Sequence, residues 1–242
     1  MNDKLLKAPR LFTPADLNDG SPAVLSEPQA HYLKNVMRAT VGDSVRLFNG
    51  RDGEWHGVID TLDKKKAVLS LQNQIREQPE SRRAVHLLFA PIKKARMEWL
   101  IEKSVELGVT DLHPVITHHT EVRDINHERT LAQIIEAAEQ CERLDIPRLH
   151  ELRPLKNVLG DWPKDISIMI GLERADAPIL GDILPAQGPL AFLIGPEGGF
   201  SAEEKSWPDS LPILKPVSLG PDILRAETAA CYVLVAASMM KR

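Results

Sequence analysis

The run Gly195-Pro196-Glu197-Gly198-Gly199-Phe200 gives the chain its clearest opportunity for chemistry. Gly195, Gly198 and Gly199 open backbone conformations closed to other residues, so a ligand can lie directly on main-chain amides and carbonyls. Adenine recognition through backbone groups suits such a loop. The apolar run Leu190 to Ile194 leads in, and Ser201-Ala202-Glu203-Glu204 leads out with capping-box spacing, so strand, loop and helix are expected in that order. No Gly-Lys-Ser/Thr follows and the spacing is not Gly-x-Gly-x-x-Gly, which excludes the common phosphate loops. Alone, the run fits a plain strand-to-helix turn equally well. Its weight comes from a partner, Val217 to Ala229, centred on Leu224-Arg225-Ala226-Glu227-Thr228.

The elements that must position these loops fall into two groups. Residues 1–75 hold short apolar runs, Ala23 to Leu25, Ser44 to Phe48, Trp55 to Ile59 and Ala67 to Leu71, which read as a small β-rich domain. Asn49-Gly50 and Asp52-Gly53 predict a tight reversal. A helix from Pro28 to Arg38 is expected to turn Leu33, Val36 and Met37 to a core, with His31, Lys34 and Arg38 on another face, either solvated or touching phosphates. Residues 76–83 are polar, charged and broken by Pro79, and read as a linker. Residues 84–242 alternate apolar runs with helical stretches, as in an α/β domain with a mostly parallel sheet. Those runs are Val85 to Ala90, Leu112 to Ile116, Ile166 to Ile170, Leu190 to Ile194 and Ile213 to Leu219; helices are expected from Met97 to Leu107 and from Glu128 to Arg143. The last helix, Glu227 to Met240, is apolar on every side and must be covered all round, by the sheet or by a second subunit.

Charge is unevenly distributed under a net of −4. Residues 1–75 carry 10 Lys and Arg against 9 Asp and Glu, residues 76–105 carry 7 against 4, and residues 106–242 carry 13 against 21. A basic surface within the first part is compatible with nucleic acid despite the acidic total, although surplus lysines are commonly just solvated. Arg10, His31, Lys34, Arg38 and Arg51 are candidate nucleic-acid contacts there, with Lys93, Lys94, Arg96 and Arg143 further along. No apolar run approaches the ~20 residues of a membrane span, and the first residues lack the pattern of a secretory signal, so a soluble cytoplasmic protein is expected. Cys141 and Cys231 stand far apart and read as buried thiols. No metal is expected: His118-His119 has no convincing further ligands.

Together, Ile194 to Phe200, Ser218 to Gly220 and Leu224 to Ala229 resemble the SPOUT class of RNA methyltransferases. Within that class the resemblance is to the RsmE family, which methylates N3 of a specific uridine in 16S ribosomal RNA. The similarity continues through Lys103 to Gly108, Glu136 to Arg143 with Ile146-Pro147, His31 to Arg38, Val41-Gly42-Asp43 and Leu47 to Gly50. It covers essentially the whole chain. It implies a PUA-like RNA-binding β-barrel domain followed by a trefoil-knotted α/β domain, a homodimer formed through the knotted domain, and the 16S rRNA of the small ribosomal subunit as partner. It also implies S-adenosyl-L-methionine as cofactor. The residues expected to hold it are Leu172, Ile194, Gly195, Pro196, Glu197, Gly198, Gly199, Ser218, Leu219, Gly220, Ile223, Leu224, Glu227, Thr228 and Ala229.

Uracil N3 is protonated at neutral pH and is a poor nucleophile, so alignment and help with proton loss are required. Arg225 is the candidate catalytic residue, stabilising charge on the uracil oxygens; a salt bridge to Glu227 or a phosphate contact are its alternatives. Glu197 reads first as a loop-holding residue, and the general base is unassigned. Competing readings are a SPOUT enzyme acting on another RNA position or on a ribose 2′-oxygen, and a non-catalytic RNA-binding assembly factor.

Overall fold

The computed structural model describes residues 3–80 and 82–240. The chain forms two compact units: one runs through Arg82 and includes Ala138–Ile146, the other comprises Arg83–Ala137 and Pro147 onward. The expected division at the 76–83 linker did not include this fold-back of residues 138–146. Strand pairing also continues to Arg76, the first residue of that linker.

The first unit contains α1 (Asp3–Leu6), β1 (Arg10–Phe12), β2 (Pro22–Leu25), α2 (Glu27–His31), β3 (Ser44–Phe48), β4 (Glu54–Leu62) and β5 (Ala67–Arg76). Its sheet has the order β1-β3-β4-β5-β2; β1 pairs parallel with β3 and the other pairs are antiparallel. Three register shifts between β4 and β5 are bulges, which bend and twist the strands over one core of Leu25, Leu33, Val45, Leu47, Ile59 and Leu69. Gly50 and Gly53, at φ of +83° and +73°, make the expected reversal.

The helix expected from Pro28 to Arg38 is different in kind. After α2 the backbone widens into a π-turn, Tyr32–Val36, in which the Met37 amide donates to the Tyr32 carbonyl at 3.0 Å, and Arg38 ends it at φ +54°. The extra residue in this turn rotates the following side chains. Leu33 and Ala30 stay buried, but Val36 and Met37 are 62% and 41% exposed rather than facing the core.

The second unit contains β6 (Val85–Phe89), α3 (Lys94–Glu106), β7 (Asp111–Ile116), α4 (His127–Gln140, its last residues counted with the first unit), β8 (Arg148–Leu149), β9 (Arg153–Pro154), α5 (Leu155–Asp161), β10 (Ile168–Gly171), α6 (Leu180–Ile183), β11 (Leu190–Ile194), α7 (Ala202–Ser210), β12 (Leu214–Val217) and α8 (Ala226–Met239). Every pairing is parallel, in the order β12-β10-β11-β6-β7-β8, with β9 also on β7. All five residues of β11 are buried, as a central strand covered on both faces requires. From β6 the chain adds β7 and β8 on one side, then crosses to build β10, β11 and β12 on the other. Such a reversal of strand order leaves a crevice at the carboxyl ends of the strands.

α3 buries Met97, Leu100, Ile101, Ser104 and Val105 along one face, and Gly108 at φ +88° follows it, as its periodicity predicts. α8 buries Ala226, Ala229, Ala230, Val233, Leu234 and Ala237, yet leaves Tyr232, Val235 and Met239 exposed. This chain alone therefore covers one face of a helix expected to be enclosed all round. Cys141 and Cys231 are half-buried rather than fully enclosed. No helix among the described residues is long and apolar enough to cross a membrane.

One buried carboxylate organises the first unit. Glu54, with no exposed surface, receives Arg10 Nε at 2.8 Å and Arg76 Nη1 at 3.2 Å, with Arg46 Nη1 at 3.5 Å. Arg10 also donates to the carbonyls of Ala138 and Arg143 and lies over the Phe48 ring, 3.8 Å from its centroid. Arg46 reaches Glu142 at 2.9 Å, and Arg76 Nη1 donates to the Glu142 carbonyl at 3.0 Å. The three guanidiniums thus tie residues 138–146 to the sheet. Burial lowers the pKa of Arg10, and the charge of Glu54 opposes that shift. Removing the carboxylate strands buried cations, a loss of about 3–5 kcal/mol. Glu54→Gln is accordingly expected to destabilise the protein by that amount in denaturant unfolding; a change under about 1 kcal/mol would show that the network is dispensable.

Candidate active site

The carboxyl ends of β10, β11 and β12 open into a cavity of about 1020 Å³. Gly171, Leu172, Ile194, Leu219 and Phe200 give it an apolar wall, and three loops complete it: Glu173 to Asp176, Gly195 to Gly199, and Ser218 to Arg225. Gly195 is required by close approach, because a Cβ there would stand 2.9 Å from the Phe200 ring. Gly199 and Gly220 adopt φ of +68° and +114°, and a Cβ at either position would meet nothing within 4 Å, so both keep backbone open toward bound matter.

The glycine loop is held from below by a polar clamp. Ser201 Oγ accepts from the Glu204 amide at 3.2 Å, while Glu204 Oε2 accepts from the Ser201 amide at 2.8 Å, completing the expected capping box of α7. Glu204 Oε1 also accepts the His118 amide at 2.8 Å, so one buried carboxylate joins two loops. His119 Nδ1 lies 3.2 Å from the Gly199 carbonyl, and Gly198 abuts the His119 Cβ. The His118-His119 pair is a brace for the glycine loop.

Arg96 closes the other side. It hydrogen-bonds Glu197 and stands 3.8 Å from Glu227 in the first turn of α8. Considered from sequence as an RNA contact, it lines the cavity with its charge answered by two carboxylates. Glu197, which accepts this hydrogen bond, lines the cavity beside it. Glu227 Oε2 is buried with no hydrogen-bond partner. Because Glu227 pairs with Arg96, Arg225 makes no ion pair among the described residues; its side chain is exposed, and its residue caps α8 and lines the cavity. The salt-bridge alternative for Arg225 is therefore not what the structure holds.

Of the fifteen residues expected around a cofactor, the cavity brings together Leu172, Ile194, Gly195, Pro196, Glu197, Gly199, Ser218, Leu219, Gly220, Ile223, Leu224 and Ala229. Gly198, Glu227 and Thr228 do not line it. Glu173, Arg174, Asp176 and Lys205 line it and were missed, since they lie outside the quoted motifs; Phe200, the last residue of the glycine run, lines it as well. Two expected RNA contacts are corrected as well. Arg10 is buried on Glu54 and backbone carbonyls, and Arg143 is buried with its guanidinium on Asp145 at 2.8 Å, so neither is presented to phosphate. His31, Lys34, Arg38, Lys93 and Lys94 are exposed; Arg51 is exposed beside Asp16 at 2.6 Å.

A family described as an RNA methyltransferase domain matches residues 79–238, and one described as an RNA methyltransferase PUA domain matches residues 25–72. The chain is 33% identical over 230 residues to the ribosomal RNA small subunit methyltransferase E of Rickettsia conorii, covering 93% of each. The chain belongs to the ribosomal RNA small subunit methyltransferase E family. Its fold is correspondingly that of a PUA domain followed by the family's α/β domain. A family member from Neisseria gonorrhoeae, solved with S-adenosylmethionine, superposes with a TM-score of 0.86 at 28% identity, over 96% of this chain and 98% of that one. A methyltransferase of Legionella pneumophila, solved with the same cofactor, gives 0.84 at 32% identity over 97% of both.

The clamp under the glycine loop predicts its own sensitivity. Glu204→Ala strips the acceptor from the Ser201 and His118 amides at once, and a loss of about 1–3 kcal/mol is expected. Chemical unfolding checks this, and a variant as stable as the parent would remove Glu204 from the account.

Proposed function

We propose that this protein transfers the methyl group of S-adenosylmethionine to N3 of a specific uridine in 16S ribosomal RNA, on the assembled small subunit in the cytoplasm. The observation that carries the reading is the cavity at the carboxyl ends of β10, β11 and β12, in a chain so similar to ribosomal RNA small subunit methyltransferase E. The residues fit the cofactor. The apolar wall of Leu172, Ile194 and Leu219 suits a purine, the open backbone at Gly199 and Gly220 suits its polar edge, and Glu173 and Asp176 add acceptors for hydroxyl and ammonium groups. Gly195, Pro196, Glu197, Ser218, Ile223, Leu224 and Ala229 complete the holding surface, with Gly198, Glu227 and Thr228 supporting it.

When bound, S-adenosylmethionine supplies a methyl group already activated by a sulfonium. The protein has to place uracil N3 in line with that carbon and stabilise the anion left as the N3 proton departs to a base or solvent. Arg225 suits the second task, since its guanidinium is free of carboxylates and lines the cavity. N3 lies on the pairing edge, so the base must be extruded from any helix. His31, Lys34, Arg38 and Arg51, with Lys93 and Lys94, are left as the phosphate contacts. They position RNA without reading its sequence, so RNA shape or the assembled particle contributes specificity. The exposed stripe of Tyr232, Val235 and Met239 on α8 supports a homodimer through the second unit, the region that carries the class's trefoil knot in this reading.

Incubation with labelled cofactor and unmodified 30S particles, followed by nucleoside mass spectrometry, is expected to yield 3-methyluridine. Label in a 2′-O-methylated nucleoside would favour the ribose reading, and no cofactor binding in calorimetry would favour the assembly factor. Arg225→Ala is expected to lower kcat by roughly 10²-fold or more with cofactor affinity retained; full turnover in that variant would remove Arg225 from catalysis.

A further inference from the structure

At the opposite ends of the strands, away from the carboxyl-end cavity, β6 and β7 carry a polar cluster that methyl transfer does not use. Parallel register sets His86 of β6 against Asp111 of β7, and His113 follows Asp111 on the same face of its strand. His86 Nδ1 and His113 Nε2 are 3.1 Å apart, and His86 Nδ1 is 3.6 Å from Asp111 Oδ2. All three ligand atoms lie within 4.8 Å of one another. Ligands held about 2.0–2.1 Å from a tetrahedral zinc ion are separated by roughly 3.3 Å, so these atoms already stand near the spacing of a shared centre.

The surroundings are those of a supported site. His150 Nε2 lies 2.8 Å from Asp111 Oδ1 and fixes the carboxylate from behind, and its ring stacks on His113 with centroids 3.8 Å apart. Thr110 Oγ1 lies 2.9 Å from Asp111 Oδ2. Trp162, buried, sets its edge against both His86 and His113, at 5.4 and 5.3 Å between centroids. Such outer contacts orient ligands and exclude competing water. A cavity of about 510 Å³ opens on the cluster, leaving room for a water or an exogenous ligand in the remaining position.

We propose that His86, Asp111 and His113 bind a divalent transition-metal ion of the zinc type. Two imidazoles and one carboxylate with an open position are a donor set for zinc or its neighbours in the first row, not for calcium or magnesium, which take oxygen ligands. In the metal-free protein the two imidazole nitrogens face each other at hydrogen-bonding distance. The ion would join β6 to β7 without touching the cofactor cavity.

Untagged full-length protein, stripped with a chelator, is titrated with Zn²⁺ against a chromophoric chelator and separately with Co²⁺. Saturation at one equivalent with micromolar or tighter affinity is expected, with the strong d–d absorption of four- or five-coordinate cobalt. Zinc at 100 times its dissociation constant is expected to raise Tm by about 5–10 °C. His86→Ala, at a partly buried position, is expected to abolish saturable uptake while retaining the circular dichroism of the parent. His150→Phe is expected to weaken it roughly 10- to 100-fold, and His127→Ala, an exposed control, to leave it unchanged. No saturable uptake by the parent, millimolar affinity only, or undiminished uptake by folded His86→Ala would each overturn the site. Should His113→Ala fail to fold, the parent's cobalt spectrum and His86→Ala carry the test.

Discussion

Two-sided burial of a parallel sheet decides where this protein can do chemistry. Each of Leu190 to Ile194 is enclosed, because helices cover both faces and neighbours flank both edges. A strand in that position has only apolar side chains to contribute, and polar work passes to the loops where the strands end. At the ends of β10, β11 and β12 the loops converge at the crevice left by the reversal of strand order. Their backbone must then be held without filling the space they surround. Glu204 and His119 do this from outside the cavity and Arg96 from its rim, leaving Gly199 and Gly220 open within it.

In the first unit the controlling constraint is electrostatic. A carboxylate with no access to solvent is tolerable only when cations and hydrogen bonds replace the lost water. Glu54 has three guanidiniums around it, and each has a further acceptor among residues 138–146. The same charge that stabilises Glu54 therefore pins a segment distant in sequence. A cluster of arginines in this part of the chain has an architectural share, and its positive charge is not all available to RNA. Glu142 is held below its ordinary value by the hydrogen bond from Arg46, so this contact outlasts the pH at which a free glutamate protonates. The sign follows from a depressed folded-state pKa: the contribution is present above the ordinary glutamate value and lost as pH falls through the folded one.

What sequence reasoning recovered follows from local physics. Apolar runs bounded by turn residues located the strands, the Ser201–Glu204 spacing located the start of α7, and the periodicity of Met97 to Val105 gave the buried face of α3. Twelve of the expected site residues meet in one cavity because the two motif loops lie at neighbouring strand ends. The misses are non-local. One extra residue in the π-turn at Tyr32–Val36 undoes a 3.6-residue periodicity that looks sound on paper. Arg10 reads as a surface charge because its partners are Glu54, 44 residues away, and backbone carbonyls more than 120 residues on. Glu173 and Asp176 had no pattern to announce them.

His86, Asp111 and His113 were invisible for the same reason. Twenty-five residues separate His86 from Asp111, and only the β6–β7 register makes them neighbours. Once seen, they are the exception to the rule that shapes the cavity at the other end. Polar side chains inside parallel strands are unfavourable unless their hydrogen-bonding groups are satisfied. β11 avoids the problem with apolar residues throughout, whereas β6 and β7 accept three polar groups side by side and recruit His150 and Thr110 to support them. Water alone is a weak reason to keep such a cluster at the foot of an otherwise apolar sheet. An ion that all three side chains share makes the arrangement favourable and joins the two strands at that end.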